Sequence, residues 1–411
     1  MKFRFLFIPL FFSELFSAPL QAEECILKNT RDILDCVLKQ HPDVLEAEAS
    51  LKRDEALKQI AKQRPNPELE GSLVSGKENN ATLLDTEVSL LHTMELGGKR
   101  KARVNQAKAS YQVSMAQVLE FKESALLNTV LALYRLKQLR TEISISEEAI
   151  ANFQNILAQY QTRPKLSPEQ EVSQSAFNLS LDEHRFKRIS LIQERDNLQA
   201  FLELATGTPF SKLKKFLPSS KKVWPQISDF PKQSVSKNSE LKKAEAALDL
   251  SEANLNLAKS RAWPDFKIGP KLQTEKRSDT TEIKAGVSLS VPLPFFHFNQ
   301  GEKSYATLDQ SRANINYAMT KKKIMNERFR QVLRYRSAVK AYRSFSLQSL
   351  YQKHENIEKL YNRGLVSTSL IIESHHQVHE IIEALHAQEL TALDALWRIR
   401  IIDGTFNQGG L

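Results

Sequence analysis

The feature that most constrains this chain is an internal repeat. Residues 43–67 align without a gap with residues 240–264, at a spacing of about 200 positions. The identical residues are mostly alanine or charged, and they end in a shared proline: Ala47, Glu48, Ala49, Leu51, Glu55, Ala56, Ala61, Lys62, Arg64 and Pro67 in the first copy. Two Ala- and Glu-rich helices can match by chance, but both copies continue from the proline into an alternating segment. The chain is therefore predicted to be a duplicated domain.

Each copy contains two segments with the alternation of a β-strand. The predicted strands cover about residues 67–77 and 82–96 in the first copy, and about 264–276 and 281–294 in the second. Because successive side chains of a strand point to opposite faces, these segments give a sheet with one apolar and one charged face. A soluble antiparallel sheet has the same pattern. Each strand is also long enough to cross a bilayer when it is tilted.

Long helices follow each pair of strands. Residues 99–161 contain no proline, and apolar residues recur there at three- and four-residue steps. This pattern predicts a coiled-coil helix about 90 Å long. A break with two prolines at 163–168 leads into a partner helix that ends near Thr206, and a second hairpin is predicted over about 302–402 with its turn at 362–364.

These elements divide the chain into four parts. Residues 1–22 are predicted to be a signal peptide, 23–206 the first repeat, 207–237 an irregular proline-rich connector and 238–411 the second repeat. Four strands cannot close a barrel with an open lumen, whereas several protomers that contribute four strands each can do so and thereby remove all exposed edges. If the strands are transmembrane, the chain must therefore oligomerise.

The N-terminus has the pattern of a secretory signal. Lys2 and Arg4 precede an apolar run at 5–16, and Ala22 is the small residue at the predicted cleavage point. A membrane anchor is the alternative, but the run is short for a membrane-spanning helix and contains interrupting residues.

The mature chain contains two cysteines, Cys25 and Cys36. In an oxidising periplasm, a pair this close in sequence favours a disulfide. Two free thiols and a lipidated Cys25 are the alternatives, and Glu23 and Glu24 before Cys25 disfavour lipidation.

Composition argues against several classes of protein. The mean hydropathy of −0.40 leaves no room for a bundle of membrane-spanning helices, and 12 glycines in 411 residues suit long helices with few turns. The net charge of +10 can accompany nucleic-acid binding, but the basic residues are interleaved with acidic ones and the chain is predicted to be exported. The sequence contains no familiar catalytic or cofactor motif, so we predict that the chain is not an enzyme and needs no cofactor.

Three short motifs resemble the TolC outer-membrane efflux family. The segment 94–100, MELGGKR, resembles the family's ELGGKR signature, especially in its heavy-metal branch of cobalt-zinc-cadmium and copper efflux proteins. In the second copy, the segments 291–294 (VPLP) and 299–302 (NQGE) resemble the family's passage from strand to helix. The segment 361–367, YNRGLVS, resembles its helical turn. Together with the repeat, the resemblance covers nearly all of the mature chain.

The resemblance implies a mostly α-helical fold with a transmembrane β part. Three protomers would form a 12-stranded barrel in the bacterial outer membrane, in contact with its lipid, and a tunnel of 12 helices in the periplasm. The homotrimer would dock with a periplasmic adaptor protein and an inner-membrane efflux transporter of the RND type. It would serve as a passive, gated duct, and the ELGGKR motif favours heavy-metal cargo. A type I secretion duct and a secreted coiled-coil structural protein are the alternatives.

The motifs also suggest functional residues. The strand-to-helix bend is assigned to Glu95, Leu96, Gly97, Gly98, Lys99, Arg100, Pro292, Pro294 and Gly301, with Asn299 as the expected helix N-cap. The turns that would face the adaptor contain Pro164, Ser167, Gly364 and Ser367. Rings of carboxylates can form a channel gate, and the candidates near these turns are Glu169, Glu171 and Glu373.

Four histidines lie in the last predicted helix. Within it, His375 and His379 are four positions apart and therefore share a face, which is a spacing that can bind zinc or copper. The sequence pattern supplies no carboxylate or thiol to complete this pair. Solvated side chains or contacts between helices are the alternative explanation.

Overall fold

The structure is a computed structural model that describes residues 25–78, 81–219, 223–229, 238–277 and 280–406. The predicted signal peptide, residues 1–22, lies outside the described residues. So does part of the predicted connector, at 220–222 and 230–237. Among the helices in the described ranges, none combines the length and the apolar character that a membrane-spanning helix needs.

Two copies of one order of elements make up most of the chain. After the short helix α1 (Thr30–Gln40), the first copy runs through α2 (Pro42–Lys62), β1 (Glu68–Glu78), β2 (Ala81–Met94), α3 (Lys99–Gln161) and α4 (Pro168–Thr206). The second copy runs through α6 (Ser239–Arg261), β3 (Phe266–Arg277), β4 (Thr280–Ser290), α7 (Gln300–Arg343), α8 (Leu347–Asn362) and α9 (Thr368–Ile402). Between the copies lie the helical turn α5 (Phe210–Leu213) and a 3-10 turn (Lys214–Phe216).

Two details differ from the sequence-based expectation. The helix expected from about residue 302 to the turn at 362–364 is divided into α7 and α8 by a break at 344–346, where Ser346 caps α8 by accepting a hydrogen bond from the Ser349 N–H (3.4 Å). The connector, expected to be irregular, begins with short helical turns at 210–216. The first difference arises at a short-range polar cap, which apolar periodicity does not detect.

The four strands form one antiparallel sheet in the order β1-β2-β3-β4. The central pair, β2 and β3, joins the two copies, with Val88 opposite Leu272 and Met94 opposite Phe266. Within this one chain, the outer edges of β1 and β4 have no neighbouring strand in the described sheet. A sheet of this kind presents unpaired backbone groups along two edges, which are sites for pairing with other chains.

The helices pack into a bundle whose main core joins both copies. Trp397 of α9 and Tyr134 of α3 are almost fully buried there, together with Trp224 of the connector and Tyr335 of α7. A second core lies near the turns of the two hairpins, where Phe153 and Phe177 pack with ring centroids 5.7 Å apart. The long helices are thus stabilised by burial along their length.

Candidate functional site: the two-faced sheet, the bends and the hairpin turns

One face of the sheet is apolar and exposed. The register places alternate residues of all four strands on this face, among them Leu69, Leu73, Val88, Leu90, Ile268, Leu272, Ile283, Val287 and Leu289. Each of these side chains is exposed, and Ile283 and Val287 retain 75% and 71% of their accessible surface. A contiguous apolar surface of this kind is rare on soluble monomers and marks a protein or membrane contact.

The opposite face of the sheet is charged, and its charges are paired across strands. Lys267 of β3 lies 2.6 Å from Glu68 of β1, and Lys271 lies 2.7 Å from Glu87 of β2. Lys284 of β4 lies 3.0 Å from Glu275. Alternation of an apolar outer face with a polar inner face is the arrangement of a transmembrane barrel strand.

The first bend lies between β2 and α3. Gly97 and Gly98 both have positive φ angles, of 68° and 72°, which glycine adopts at little cost. A Cβ atom at Gly97 would lie 2.6 Å from Cδ1 of Trp263, whereas one at Gly98 would meet nothing within 4 Å in this chain. Glycine is therefore favoured at position 97 both by the left-handed backbone conformation and by the close approach of the Trp263 side chain.

The charged residues of the ELGGKR motif connect this bend to neighbouring elements. Lys99 Nζ lies 2.7 Å from Asp265 Oδ1, and the same oxygen accepts a hydrogen bond from the Leu96 N–H at 3.1 Å. Arg100 Nε donates to the carbonyl of Lys62 at 2.7 Å, at the end of α2. Glu95 accepts a hydrogen bond from Arg103. Arg100 thus satisfies a backbone acceptor at a helix C-terminus, where cations are favoured.

The second bend is built differently. β4 ends at Ser290, and Pro292 and Pro294 lie in the non-helical segment before α7. Asn299 occupies the N-cap position as expected, but with a left-handed φ of 58° and without capping the helix through its side chain. Its amide instead donates to the Ala258 carbonyl at 2.9 Å and to Glu302 at 2.6 Å. The expected N-cap interaction is therefore wrong, because the side chain serves to attach α7 to α6.

Exposed aromatic residues at the second bend were missed by the sequence analysis. Phe295 and Phe296 are exposed, the latter almost completely, and Phe298 is half-exposed. They follow the VPLP motif directly, so three phenylalanines within four positions were a visible signal. Aromatic side chains commonly form a girdle where a membrane barrel meets the interface.

The two hairpin turns have the local structure that their residues favour. Gly364 has a φ of 72° and ends α8 with a hydrogen bond from its N–H to the Tyr361 carbonyl at 2.8 Å. Pro164 lies in the non-helical turn between α3 and α4. Ser167 caps α4 in a reciprocal pair with Gln170. Ser367 precedes α9 without capping it, and its hydroxyl contacts that of Ser369 at 2.9 Å.

The candidate gate residues all lie near these turns. Glu169 and Glu171 are exposed in the first turn of α4, where negative charge is favoured by the helix dipole. Glu373 is exposed on α9 and accepts a hydrogen bond from Gln377 at 2.7 Å. Their part in a gate stays a prediction.

His375 and His379 are both buried, each with its own set of neighbours. His375 packs against His354 of α8, with ring centroids 4.5 Å apart. His379 Nε2 lies 3.0 Å from Ser146 Oγ of α3, and its ring lies 6.2 Å from that of His184. The sequence-based pairing of His375 with His379 overlooked these partners, since they come from other helices.

Burial controls the ionisation of two of the buried histidines, His375 and His184. Burial, reinforced by His354 and His184, lowers the pKa of His375 to about 3. Burial likewise lowers the pKa of His184 to about 4. The His379 ring, whose Nδ1 lies 3.6 Å from Glu383 Oε1, and the Lys187 ammonium, 3.0 Å from Oε2, lower the pKa of Glu383 to about 2. His375 and His184 are thus uncharged at neutral pH, whereas the Glu383 carboxylate is ionised.

A second buried polar group lies further along the helices. Glu142 of α3 accepts hydrogen bonds from His386 at 2.5 Å and from Arg135 at 2.8 Å. Burial opposes the ionisation of Glu142, but these two partners outweigh it and hold its pKa below the ordinary value. Sequence reasoning missed this group, because polar residues on a mainly apolar seam are usually assigned to solvent.

The structure pairs Cys25 with Cys36 in a disulfide, with Cα atoms 5.8 Å apart. Cys36 is buried in α1, so the bond attaches the beginning of the described chain to the bundle.

Comparison with known proteins supports the motif resemblance. Residues 33–165, which include α2, the first strand pair and all of α3, match the family of outer membrane efflux proteins. The family resemblance predicted from the motifs is confirmed. The chain is also 25% identical over 266 residues to the cobalt-zinc-cadmium resistance protein CzcC of Cupriavidus metallidurans. That alignment covers 62% of this chain and 60% of the relative, so the chain spans under two thirds of that relative's length.

Solved structures share the fold over most of the chain. The Campylobacter jejuni CmeC outer membrane channel superposes with a TM-score of 0.72 at 14% identity, covering 92% of this chain and 86% of CmeC. CusC gives a TM-score of 0.69 at 15% identity, with 92% of each chain covered. The outer-membrane channel OprN gives 0.72 at 14% identity, with coverage of 92% and 90%. The predicted TolC-like fold, with four strands and long helical hairpins, is confirmed.

Proposed function

We propose that this chain is the outer-membrane duct of a tripartite efflux pump. The observation that carries the proposal is the sheet, which exposes an apolar face on one side and paired charges on the other, and which ends in two open edges. Three chains that pair β4 of one with β1 of the next would close a 12-stranded barrel. Its apolar face would contact lipid, and its charged face would line a water-filled lumen.

The helical hairpins would continue this barrel as a periplasmic tunnel. The 63 residues of α3 span about 95 Å at 1.5 Å per residue. The turns at 162–167 and 363–367 lie at the ends of the two hairpins, and these turns would face a periplasmic adaptor and an inner-membrane transporter of the RND type. The duct itself would be passive. In this proposal, residues 23–206 and 238–411 are the two repeats of the protomer, joined by 207–237.

Heavy-metal cations are the cargo that we favour. The ELGGKR motif and the similarity to a protein named for cobalt, zinc and cadmium resistance both support metals. A duct contacts its cargo weakly, so selectivity would reside in the transporter.

Membrane fractionation and gene deletion test the proposal together. We expect the processed protein in the outer-membrane fraction, extractable by detergent as a trimer, and increased sensitivity to Co²⁺, Zn²⁺ or Cd²⁺ in the deletion strain. A freely soluble monomer would contradict the duct and favour a secreted structural protein. A trimer in the membrane whose deletion abolishes protein export and leaves metal sensitivity unchanged would instead favour type I secretion.

A further inference from the structure

Three side chains from α8 and α9 converge near the turn of the second hairpin. His354 and Glu358 are one turn apart on α8, and His375 projects from α9. Nε2 of His354 and Nε2 of His375 each lie 3.4 Å from Oε1 of Glu358. One ligand-capable atom from each of the three residues lies within 4.8 Å of the other two.

The two nitrogen–oxygen separations of 3.4 Å match a pair of metal ligands better than a hydrogen-bonded pair. For metal–ligand bonds of about 2.0–2.2 Å, two ligands of a tetrahedral zinc ion are roughly 3.3–3.6 Å apart. A hydrogen bond between the same atoms would be about 2.7–3.2 Å long. His375 is only 4% exposed, and its Nε2 has no hydrogen-bond partner. Buried nitrogen atoms in native proteins are rarely left unsatisfied, and a missing ion is one of the accepted reasons.

Neighbouring side chains hold two of the three groups in orientation. His354 Nδ1 lies 2.9 Å from Ser374 Oγ, which leaves Nε2 to face Glu358. Asn152 of α3 donates a hydrogen bond to Glu358 Oε1 at 2.7 Å. Such outer partners fix the tautomer and ring orientation of metal-binding histidines. The Phe153 ring packs edge-on against His375, with centroids 4.9 Å apart, and shields that side of the cluster.

We propose that His354, Glu358 and His375 bind one divalent transition-metal cation of the zinc class, with water at the fourth position. Imidazole and carboxylate ligands suit Zn²⁺, Co²⁺, Ni²⁺ and Cu²⁺, whereas Mg²⁺ and Ca²⁺ require oxygen ligands. The site is buried between packed helices, so the cation proposed here is a bound structural ion and not cargo in transit. The proposal therefore holds whatever solute the duct transports.

The cation would join α8 to α9. His354 is the one buried residue of α8, and α8 is separated from α7 by the break at 344–346. Leu350, Ile357 and Tyr361 of α8 are only partly buried against the neighbouring cores. A bond through the metal would add a link to α9 that these apolar contacts do not supply. Since the site lies close to the turn at 363–367, its occupancy would stiffen the tip of this hairpin.

Cobalt binding to the purified full-length processed protein tests the proposal. After chelator treatment, we expect one Co²⁺ per chain, with the intense visible absorption of a four-coordinate ion, and displacement of that ion by Zn²⁺. Glu358→Gln and His375→Asn are expected to weaken binding at least tenfold. His376→Asn is the matched control, because this partly exposed histidine lies on the same helix and pairs with Glu183 and Glu380 instead.

The variants also separate binding from folding. Glu358→Gln preserves side-chain size, so circular dichroism and particle mass should match the wild type even if His375→Asn folds poorly. Zn²⁺ should raise the melting temperature of the wild type and of His376→Asn but leave that of Glu358→Gln unchanged. The proposal is overturned if the wild type shows no stoichiometric Co²⁺ binding. Wild-type affinity in Glu358→Gln, or loss of binding in His376→Asn, would overturn it equally.

Discussion

At the scale of single residues, Gly97 is the most constrained position of the strand-to-helix bend. Its φ is 68°, and an added Cβ would lie 2.6 Å from the Trp263 side chain. The left-handed conformation costs a non-glycine residue about 1–2 kcal/mol, and overpacking adds about 1–3 kcal/mol. We expect Gly97→Ala to lower the free energy of unfolding by roughly 2–5 kcal/mol and to reduce the amount of assembled protein.

Gly301 supplies the matched control for that substitution. It lies in the first turn of α7, has no positive φ, and a Cβ there would meet nothing within 4 Å in this chain. Gly301→Ala is therefore expected to keep wild-type stability or to gain up to about 1 kcal/mol from helix propensity. Denaturation of both variants measures the difference. Equal stability of the two alanine variants would show that the Trp263 contact is unimportant.

The buried His184 is expected to make the stability of the folded chain depend on pH. Burial lowers the pKa of His184 to about 4 in the folded chain, from the ordinary histidine value of 6.5. Between these two values the unfolded chain binds a proton that the folded chain does not, so stability falls as the pH drops from 6.5 towards 4. Each unit of difference corresponds to about 1.4 kcal/mol. Glu183 opposes this effect of burial, whereas His379, Lys187 and His376 reinforce it.

Replacement of His184 by a non-ionisable residue removes its share of this pH dependence. From pH 7 to pH 5, the free energy of unfolding should fall in both proteins. We expect this fall to be roughly 1–2 kcal/mol smaller in His184→Gln than in the wild type. Urea denaturation at the two pH values measures this difference. Parallel losses in the two proteins would show that His184 is protonated as easily in the folded chain as in the unfolded one.

At the scale of elements, the same change to lysine, made separately at two neighbouring positions, distinguishes the two faces of β4. Val287 lies on the apolar face and Ser288 on the charged face. If the apolar face contacts lipid, Val287→Lys costs about 2–4 kcal/mol near the bilayer centre. We expect a strong reduction of this variant in the outer membrane and nearly normal amounts of Ser288→Lys. Equal amounts of both would contradict a lipid-facing side.

Some boundaries of the helices could be predicted from the sequence and one could not. The bounds of α3 and the positive φ of Gly364 agree with local signals, because helix periodicity, proline breaks and glycine turns depend on residues close in sequence. The break between α7 and α8 was not foreseen. Apolar residues continue on both sides of it, and the polar residues Ser344 and Ser346 that end one helix and cap the next give a weaker signal.

At the scale of the whole molecule, Arg328 joins distant parts of the second copy to the connector. This buried arginine of α7 pairs with Asp403 at the end of α9 (2.7 Å) and donates to the Asp229 carbonyl (2.7 Å). Arg328→Ala is expected to cost about 3–5 kcal/mol, since it leaves Asp403 and the carbonyl without this partner.

Arg330 is the control for this long-range link. It pairs with Glu327 on the exposed side of the same helix, and exposed ion pairs contribute about 0–1 kcal/mol. We expect Arg330→Ala to unfold at nearly the wild-type temperature and Arg328→Ala many degrees lower. Similar melting temperatures for the two variants would mean that the connector is held by other contacts.

The sequence by itself determined the repeat, the two-faced strands, the long helices and the glycine at the second turn. Each of these depends on periodicity or on backbone preferences that act over a few residues. The tertiary structure alone decided the partners: β2 beside β3, His354 with Glu358 and His375, and Arg328 with Asp403. Contacts between residues far apart in sequence depend on how helices and strands pack in three dimensions. A local sequence pattern does not specify that packing.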